Sequence, residues 1–253
     1  MSDTGAQRAT PRFRQRSAKM AELVARQIVE DIVAQRLPAG ASLPSEVPML
    51  QMYGVARGTL REALRILEYN GLVRVRPGRG GGATVGSADA YNFGRTMTLF
   101  LQMGRTEFTE LVEARLIMEP IMARLAAERR DEERLAELAK SMGEHKGLET
   151  HDQARYLEVV QNFHGVVAGM SGNGVLDLFG RALKEIYTER VIAAEKPPAR
   201  WGEVRKEHEA VAQAIFDGDG ARAEELMRAH MVELKAGFER SYAALRTEII
   251  GAW

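Results

Sequence analysis

The sequence contains no cysteine and no apolar run long enough to cross a bilayer. The first absence excludes a disulfide framework, a cysteine-ligated zinc site and a cysteine nucleophile. The second, with no apolar stretch behind the N-terminal charges, predicts a cytoplasmic protein with no secretory signal and no membrane partner. What the chain does have is 253 residues, 45% of them hydrophobic, which is enough for two folded domains.

The chain also lacks a net charge, with 35 basic and 35 acidic residues. The two signs are nevertheless unevenly distributed. Residues 1–88 contain 13 Lys and Arg against 7 Asp and Glu, whereas residues 89–253 contain 22 against 28. The first part therefore carries +6 and the second −6. Such an asymmetry indicates that one part binds an anionic polymer and the other does not.

Hydrophobic periodicity and turn residues divide the basic part into three helices and a hairpin. The expected elements are helices over 19–36, 46–53 and 58–69 and strands over 72–76 and 83–85. Leu37-Pro38-Ala39-Gly40 stops the first helix, and Ser45 is the expected N-cap of the second. This order is that of a winged helix-turn-helix domain, which we expect over 17–86 behind a flexible basic arm at 1–16.

Beyond a short linker at 87–91, the sequence predicts helices alone. The expected helices cover 89–103, 107–129, 131–146, 151–170, 173–195, 200–216 and 219–248. They form an all-α bundle of about six or seven helices over 92–248. The predicted fold class is therefore mainly α, with an N-terminal winged helix-turn-helix and a C-terminal helical domain.

The third predicted helix carries an arginine stripe opposite its apolar face. Arg57, Arg61 and Arg65 are four residues apart and so lie on one side. Arginine can donate to guanine in the major groove or bind phosphates. On an isolated helix such a stripe is as often a solvated face, but the two helices before it and the hairpin after it favour DNA binding.

Four motifs in this region resemble the DNA-binding domain of GntR-family transcriptional regulators, over about 20–86. They are Leu43-Pro44-Ser45-Glu46, Tyr53-Gly54-Val55-Ala56-Arg57-Gly58-Thr59-Leu60-Arg61-Glu62-Ala63-Leu64, Leu67-Glu68-Tyr69-Asn70-Gly71-Leu72-Val73 and Gly78-Arg79-Gly80. The resemblance implies that Arg57, Thr59 and Arg61 contact operator DNA and that Gly80 approaches the minor groove. Ser45 and Arg65 complete the expected DNA contacts. Two positions depart from the family. Ala56 stands where the family usually has serine, and Val47 stands where it often has a polar or basic residue.

Three of the five histidines face inward on separate predicted helices of the second domain. His164, His208 and His230 each share a helical face with apolar residues. A single inward histidine is usually a hydrogen-bonded core residue, but three in one bundle raise the alternative of neutral imidazoles converging on a divalent metal. The remaining two, His145 and His151, lie among charges near predicted helix ends, and we expect them at the surface.

One arginine of the second domain has an apolar setting. Arg115 is surrounded at helical spacing by Leu111, Val112 and methionines, which predicts a buried guanidinium. A buried guanidinium needs a partner. Glu119, four residues on, is one candidate, and an anionic ligand is the other; the sequence leaves both open.

The second domain is similar to the FCD effector domain of the FadR subfamily of the same family, over about 105–240. The motifs are Glu110-Leu111-Val112-Glu113-Ala114-Arg115-Leu116-Ile117-Met118-Glu119-Pro120, Asn162-Phe163-His164, Ser171-Gly172-Asn173, His208-Glu209-Ala210-Val211-Ala212-Gln213-Ala214-Ile215-Phe216-Asp217-Gly218-Asp219 and Ala223-Glu224-Glu225-Leu226-Met227-Arg228-Ala229-His230. The resemblance implies that the three histidines and an aspartate hold zinc or nickel. It also implies that the metal and an arginine bind a small carboxylate, and Arg115 and Asn173 are the expected ligand-binding residues.

The aspartate position of that metal site is Val160 in this chain. Without the carboxylate, a bound divalent ion keeps one more positive charge and one more open position. Two outcomes follow. The effector's own carboxylate supplies the missing oxygen to a weaker metal site, which we favour, or the histidines bind the effector directly without metal.

The resemblance implies a homodimeric regulator, most often a repressor in this family. Two recognition helices bind an inverted repeat of double-stranded operator DNA in the nucleoid, and a small organic acid controls the affinity. Val160 keeps open an alternative, a constitutive DNA-binding regulator with a metal-free or vestigial pocket. A metal-dependent enzyme is the remote alternative. The chain has no H-E-x-x-H, P-loop, dinucleotide fingerprint or nucleophile elbow, so we expect no catalysis.

Overall fold

The computed structural model describes residues 12–76, 78, 81–87, 90–146, 153–193, 201–242 and 245–251. The chain divides into two compact units, Met1–Asp89 and Ala90–Trp253. The described residues form ten helices and a two-stranded antiparallel sheet, which confirms the mainly α fold class. Within these residues, none of the helices combines the length and the apolarity needed to span a bilayer.

The first unit has the order of a winged helix-turn-helix. Its elements are α1 (Arg12–Ala34), α2 (Glu46–Tyr53), α3 (Arg57–Tyr69), β1 (Val73–Arg76) and β2 (Gly82–Val85). The helices pack around a small apolar core that includes Ile28, Met49, Leu60 and Leu67. Helix α1 begins earlier than its periodicity predicts, so that residues 12–16 of the expected basic arm are helical. Residues 1–11 of that arm lie outside the described part.

The hairpin of the first unit has a third partner. Strands β1 and β2 pair in antiparallel register from Val73 opposite Val85 to Arg76 opposite Gly82. The segment after α1 then joins the free edge of β2, because the Leu43 amide donates to the Ala83 carbonyl at 2.8 Å and Ser42 bridges Thr84. No strand was predicted in this segment.

The second unit is a bundle of seven described helices. They are α4 (Ala90–Met103), α5 (Phe108–Arg129), α6 (Glu132–Lys146), α7 (Gln153–Met170), α8 (Gly174–Ala193), α9 (Trp201–Asp217) and α10 (Gly220–Ser241). Helix α5 lies centrally and packs on α7, α8, α9 and α10. Two apolar clusters fill the bundle, and the candidate site lies among α5, α7, α9 and α10.

The last helix ends earlier than the sequence predicts. We expected it to continue to residue 248, but α10 ends at Ser241 and the chain turns back towards the start of α5. The Phe108 amide donates to the Glu248 carbonyl at 3.0 Å, and Ile249 bridges Glu107. The apolar residues near the C-terminus continue the helical pattern, yet Ile250 is buried by this return rather than by a longer helix.

Candidate functional site: an arginine face and a histidine-lined cavity

Helix α3 presents its arginines to solvent. The side chains of Arg57, Arg61 and Arg65 are 70%, 68% and 76% exposed. On the opposite face, Leu60, Ala63 and Leu67 are buried in the core of the first unit. The predicted division of this helix into a packed back and a donor-bearing front therefore matches its burial.

One acidic side chain links two of these arginines. Glu46 at the start of α2 lies 3.6 Å from Arg57 Nε and 3.3 Å from Arg61 Nη2. Exposed ion pairs contribute little stability, so the consequence of Glu46 is mainly to orient the two guanidinium groups. This pairing could not be predicted from the sequence, because residue 46 comes near residues 57 and 61 only when α2 packs on α3.

Both helices on this face begin without a side-chain cap. Ser45 stands at the N-cap of α2, but its hydroxyl makes no capping hydrogen bond, contrary to the capping role that we expected. Ala56 at the N-cap of α3 has no group that could cap. The free N–H groups at such helix starts are well suited to bind phosphate. Thr59, in the first turn of α3, is half-buried.

A groove of about 600 Å³ runs between α2, α3 and the hairpin. Ser45, Arg61, Arg65 and Arg76 are among its lining residues. Three of the expected DNA contacts, Ser45, Arg61 and Arg65, thus share one surface with Arg76 of β1. Gly80, the expected minor-groove contact, lies outside the described residues.

The three predicted histidines converge. His164 on α7, His208 on α9 and His230 on α10 are all buried. The Nε2 atoms of His208 and His230 are 3.2 Å apart, and those of His230 and His164 are 3.4 Å apart. Their ligand atoms all lie within 4.8 Å of one another.

Two carboxylates fix the orientation of two of these rings. Glu119 on α5 accepts a hydrogen bond from Nδ1 of His164, and Glu207 on α9 accepts one from Nδ1 of His230 at 2.7 Å. An ionised carboxylate can only accept, so each Nδ1 carries the proton. The Nε2 lone pairs of His164 and His230 therefore face the centre of the cluster, the arrangement found in carboxylate–histidine–metal sites.

A fourth histidine fixes the third ring. His145 Nδ1 donates to the Ser141 carbonyl at 2.8 Å, which leaves its Nε2 as the acceptor for His208 Nδ1 at 3.1 Å. The Nε2 lone pair of His208 is thereby also turned inward. All three rings have the same tautomer, and each is set by a different outer partner.

The expected surface position of His145 is wrong, since its side chain is only 4% exposed. Helix α6 packs against α7 and α9, which buries its last turn. A signal was present, because Leu138, Ser141 and Met142 precede His145 at helical spacing and are all buried. The expected surface position of His151 lies outside the described residues.

The donor set fits a divalent metal. A metal bound at about 2.0–2.1 Å to two imidazoles in tetrahedral geometry holds their nitrogens about 3.3 Å apart, close to the separations of 3.2 and 3.4 Å in this cluster. Burial lowers the pKa of His164 to about 4 and the pKa of His208 well below its ordinary value, so both rings are neutral near pH 7. Three neutral lone pairs facing one another repel unless a cation or a proton lies between them.

Arg115 is buried, as expected, and has three neighbours of different kinds. Its Nε donates to Glu119 at 2.5 Å, its Nη2 donates to Gln161 at 3.1 Å, and its guanidinium lies 4.8 Å from the centre of the Tyr187 ring. Burial raises the pKa of Glu119, but Arg115 and His164 together outweigh it and lower that pKa to about 2. Glu119 is therefore the partner that the sequence offered as one of two candidates.

One nitrogen of this guanidinium is not accounted for by these contacts. Nη1 of Arg115 is buried and has no hydrogen-bond partner among the described residues. A buried donor without a partner is costly, by about 1–3 kcal/mol. This atom therefore keeps the second candidate, an anionic ligand, open beside the Glu119 pair.

A cavity of about 190 Å³ opens beside the histidine cluster. His164, His230, Val160 and Gln161 contribute to its wall, and Gln161 connects the wall to Arg115. The other described lining residues come from α7 to α10 and the residue after α10; they are Tyr156, Leu157, Tyr187, Val191, Val204, Glu207, Glu233, Leu234, Gly237, Phe238, Arg240, Ser241 and Tyr242.

Asn173 is not among the residues that line this cavity. Its Oδ1 accepts hydrogen bonds from the amides of Val175 at 3.0 Å and Leu176 at 3.3 Å. These bonds make Asn173 the cap of α8. The structure thus brings together the histidines, Val160 and, through Gln161, Arg115, and it leaves Asn173 in a capping position.

Comparison with known protein families identifies both units. Residues 110–233 match the FCD domain, and residues 20–82 match the bacterial regulatory proteins of the gntR family. The chain belongs to the GntR family and carries an FCD domain. It is a DNA-binding transcriptional regulator that responds to a small metabolite, and its matched domains and relatives are those of transcriptional regulators rather than enzymes.

Curated relatives and a solved structure agree with this assignment. The HTH-type transcriptional repressor NanR of Klebsiella aerogenes is 28% identical over 224 residues, covering 86% of this chain and 85% of NanR. The HTH-type transcriptional regulator LutR of Bacillus subtilis is 28% identical, covering 79% of this chain and 92% of LutR. The structure of Streptococcus agalactiae GntR matches with a TM-score of 0.67 at 25% identity, over 85% of this chain and 99% of that one.

Proposed function

We propose that this regulator is a homodimeric cytoplasmic repressor that binds an inverted repeat and is controlled by a small carboxylate at the histidine cluster. The observation that carries the proposal is the convergence of three buried histidines in the FCD domain, two of which, His164 and His230, line a cavity. A site that gathers inward lone pairs attracts a cation. A cation beside an apolar cavity, in turn, binds an organic anion.

On the DNA side, we assign base or phosphate contacts to Arg57, Thr59, Arg61 and Arg65, with Ser45 at the start of α2. The exposure of the three guanidinium groups supports this assignment. On binding, phosphates compete with Glu46 for Arg57 and Arg61, and the uncapped start of α3 offers N–H donors to the same backbone.

On the effector side, His164, His208 and His230 would hold a divalent ion such as zinc or nickel. When bound, the ion supplies positive charge and open coordination positions for a carboxylate. Glu119, Glu207 and His145 act from outside by keeping each Nε2 directed inward. Val160 adds no ligand, so these positions stay available to the effector.

Arg115 reinforces the anion preference of the cavity. Its charge is partly compensated by Glu119, while Nη1 is left without a described partner. Through Gln161 the guanidinium reaches the cavity wall. Binding changes operator affinity only if the effector prefers one conformation of the protein, which is typically worth about 1–3 kcal/mol.

A second candidate is a metal-free cavity in which the histidines hydrogen-bond the effector directly. Val160, an apolar side chain at the position of the family's aspartate, favours it. Metal analysis of the purified full-length protein separates the two. We expect up to one zinc or nickel per chain in the wild type and its loss in His208→Ala. A metal-free protein whose operator affinity still changes with the effector would favour the second candidate.

A further inference from the structure

We infer, on the basis of the proposed carboxylate response, that the effector is a monocarboxylate with a compact apolar body, such as a six-membered carbon ring. It is not a hydroxylated sugar acid or a dicarboxylate. The size of the cavity, the chemistry of its buried wall and the position of its charged residues carry this inference.

The cavity limits the size of the effector. Its volume is about 190 Å³, and an apolar cavity of about 150 Å³ is large enough to hold benzene. The additional space fits a carboxylate attached to such a ring. An apolar body of several rings exceeds this volume.

The buried wall of the cavity is mainly aliphatic and aromatic carbon, to which Tyr156, Tyr187 and Tyr242 each add one hydroxyl. Leu157, Val160, Val191 and Phe238 are all buried and line it. An aspartate in place of Val160 would put a polar group into this wall. Because aliphatic and aromatic walls cannot hydrogen-bond a hydroxyl, each hydroxyl that an effector places against them loses its water without compensation.

Two histidines and Gln161 form one group of buried polar side chains in the wall. His164 and His230 present their Nε2 atoms, and the Oε1 atom of Gln161 accepts from Arg115 at 3.1 Å. An effector can direct one carboxylate towards this group. The tyrosine side chains in the wall offer aromatic surface as well as a hydroxyl, and so suit an apolar ring.

The formally charged side chains of the wall are those of Glu207, Glu233 and Arg240. Glu233 and Arg240 are exposed, and Glu207 is partly buried and holds His230. Two of these three residues are acidic, so a second carboxylate on the effector meets mainly like charge there. This disfavours a dicarboxylate relative to a monocarboxylate of the same shape.

Four probes that share a cyclohexane ring test the inference on full-length protein as purified. They are cyclohexanecarboxylate, quinate (its hydroxylated counterpart), cyclohexanedicarboxylate and cyclohexylmethanol, which lacks the carboxylate. Calorimetric titration and thermal unfolding measure binding. We expect cyclohexanecarboxylate to bind at least about tenfold more tightly than each of the others, since one uncompensated polar group accounts for such a factor.

The outcomes separate this inference from the proposed function. Tighter binding of quinate or the dicarboxylate overturns the apolar body and leaves the carboxylate response standing. Equal binding of cyclohexylmethanol overturns the carboxylate response itself. Absence of binding by all four probes overturns the inferred ring-sized apolar effector.

A pair of variants locates the bound ring. Val191→Phe fills the cavity from α8 and should abolish cyclohexanecarboxylate binding, whereas Val167→Phe introduces the same side chain at a buried position outside the cavity wall. Val191→Ala guards against misfolding, because it enlarges the cavity and should improve binding of a bulkier ring such as adamantanecarboxylate relative to wild type. Unchanged probe binding in both Val191 variants would overturn the assignment of the ring to this cavity.

Discussion

The two units of this regulator use charge in opposite ways. In the winged unit, Arg57, Arg61 and Arg65 stand in solvent, and their paired carboxylates are also substantially exposed. In the FCD unit, Arg115 and Glu119 form a buried pair that continues into His164. Exposed charges can exchange a weak intramolecular partner for DNA at little cost in stability. Buried charges must keep their partners, and so they fix geometry.

The largest expected effect sharpens this comparison within one helix. Glu119→Ala should destabilise the protein by about 3–5 kcal/mol, because it leaves Arg115 buried without its ionic partner. Glu128→Ala removes the acidic partner of an exposed pair with Arg124 on the same helix and should leave stability nearly unchanged. Chemical denaturation of both variants measures the difference. Equal losses would contradict the distinction between buried and exposed pairs.

The next effect belongs to the exposed face of α3. Arg61→Ala should weaken specific operator binding by about tenfold to a hundredfold per recognition helix, the value of one good arginine–base contact. Its melting temperature should stay that of wild type. Arg222→Ala removes an exposed arginine of the FCD unit and serves as the control. The operator is first obtained by selecting bound sequences from random DNA, and affinity is then measured by fluorescence anisotropy.

That prediction fails if Arg61→Ala binds the selected operator as tightly as wild type. It also fails if the variant unfolds at a clearly lower temperature, since Arg61 would then be part of the fold rather than of the DNA surface.

The outer partner of His208 provides the third test. His145→Leu should lower the affinity for zinc or nickel by about 10- to 100-fold, as expected when the outer partner of a metal ligand is lost. His145→Gln should retain most of the affinity, because its amide can accept from His208 and donate to the Ser141 carbonyl. Competition with a coloured chelator measures both. The same affinity in the Leu and Gln variants would show that His145 only fills space.

The smallest effect concerns the uncapped start of α3. Ala56→Ser should stabilise the winged unit by about 1 kcal/mol, since a serine at the N-cap can accept from an amide of the first turn. Ser45→Ala, at the N-cap of α2, should change stability little, because that hydroxyl makes no capping bond. Thermal unfolding measures both variants, and a destabilised Ala56→Ser would argue against the assigned N-cap.

The contrast between the units also explains which features of the structure could be predicted from the sequence. The division of α3 into two faces depends on helical spacing alone, so it was readable. The inward direction of His164, His208 and His230 was readable for the same reason. Their outer partners were not, because Glu207 and His145 come within reach only after α6, α9 and α10 pack together.

Two further differences between the structure and the sequence-based expectations also arise from tertiary contacts. The pairing of Leu43 with Ala83 depends on where the chain returns after α1. Pro44 favours an extended Leu43 but does not select the strand with which it pairs. The end of α10 at Ser241 depends on the last residues packing beside α5, since hydrophobic periodicity continues past that point. Hydrophobic periodicity predicts which face of a helix or strand is apolar, and only tertiary contacts decide what buries that face.

The most direct test of the account measures whether the histidine cluster controls the DNA affinity. Operator affinity is followed while wild type and His230→Ala are titrated with a panel of organic acids. We predict that at least one acid changes the affinity of wild type by about 5- to 150-fold, a usual range of allosteric coupling. The variant should bind operator normally without the acid and should not respond to it. An unchanged response in His230→Ala would contradict the account.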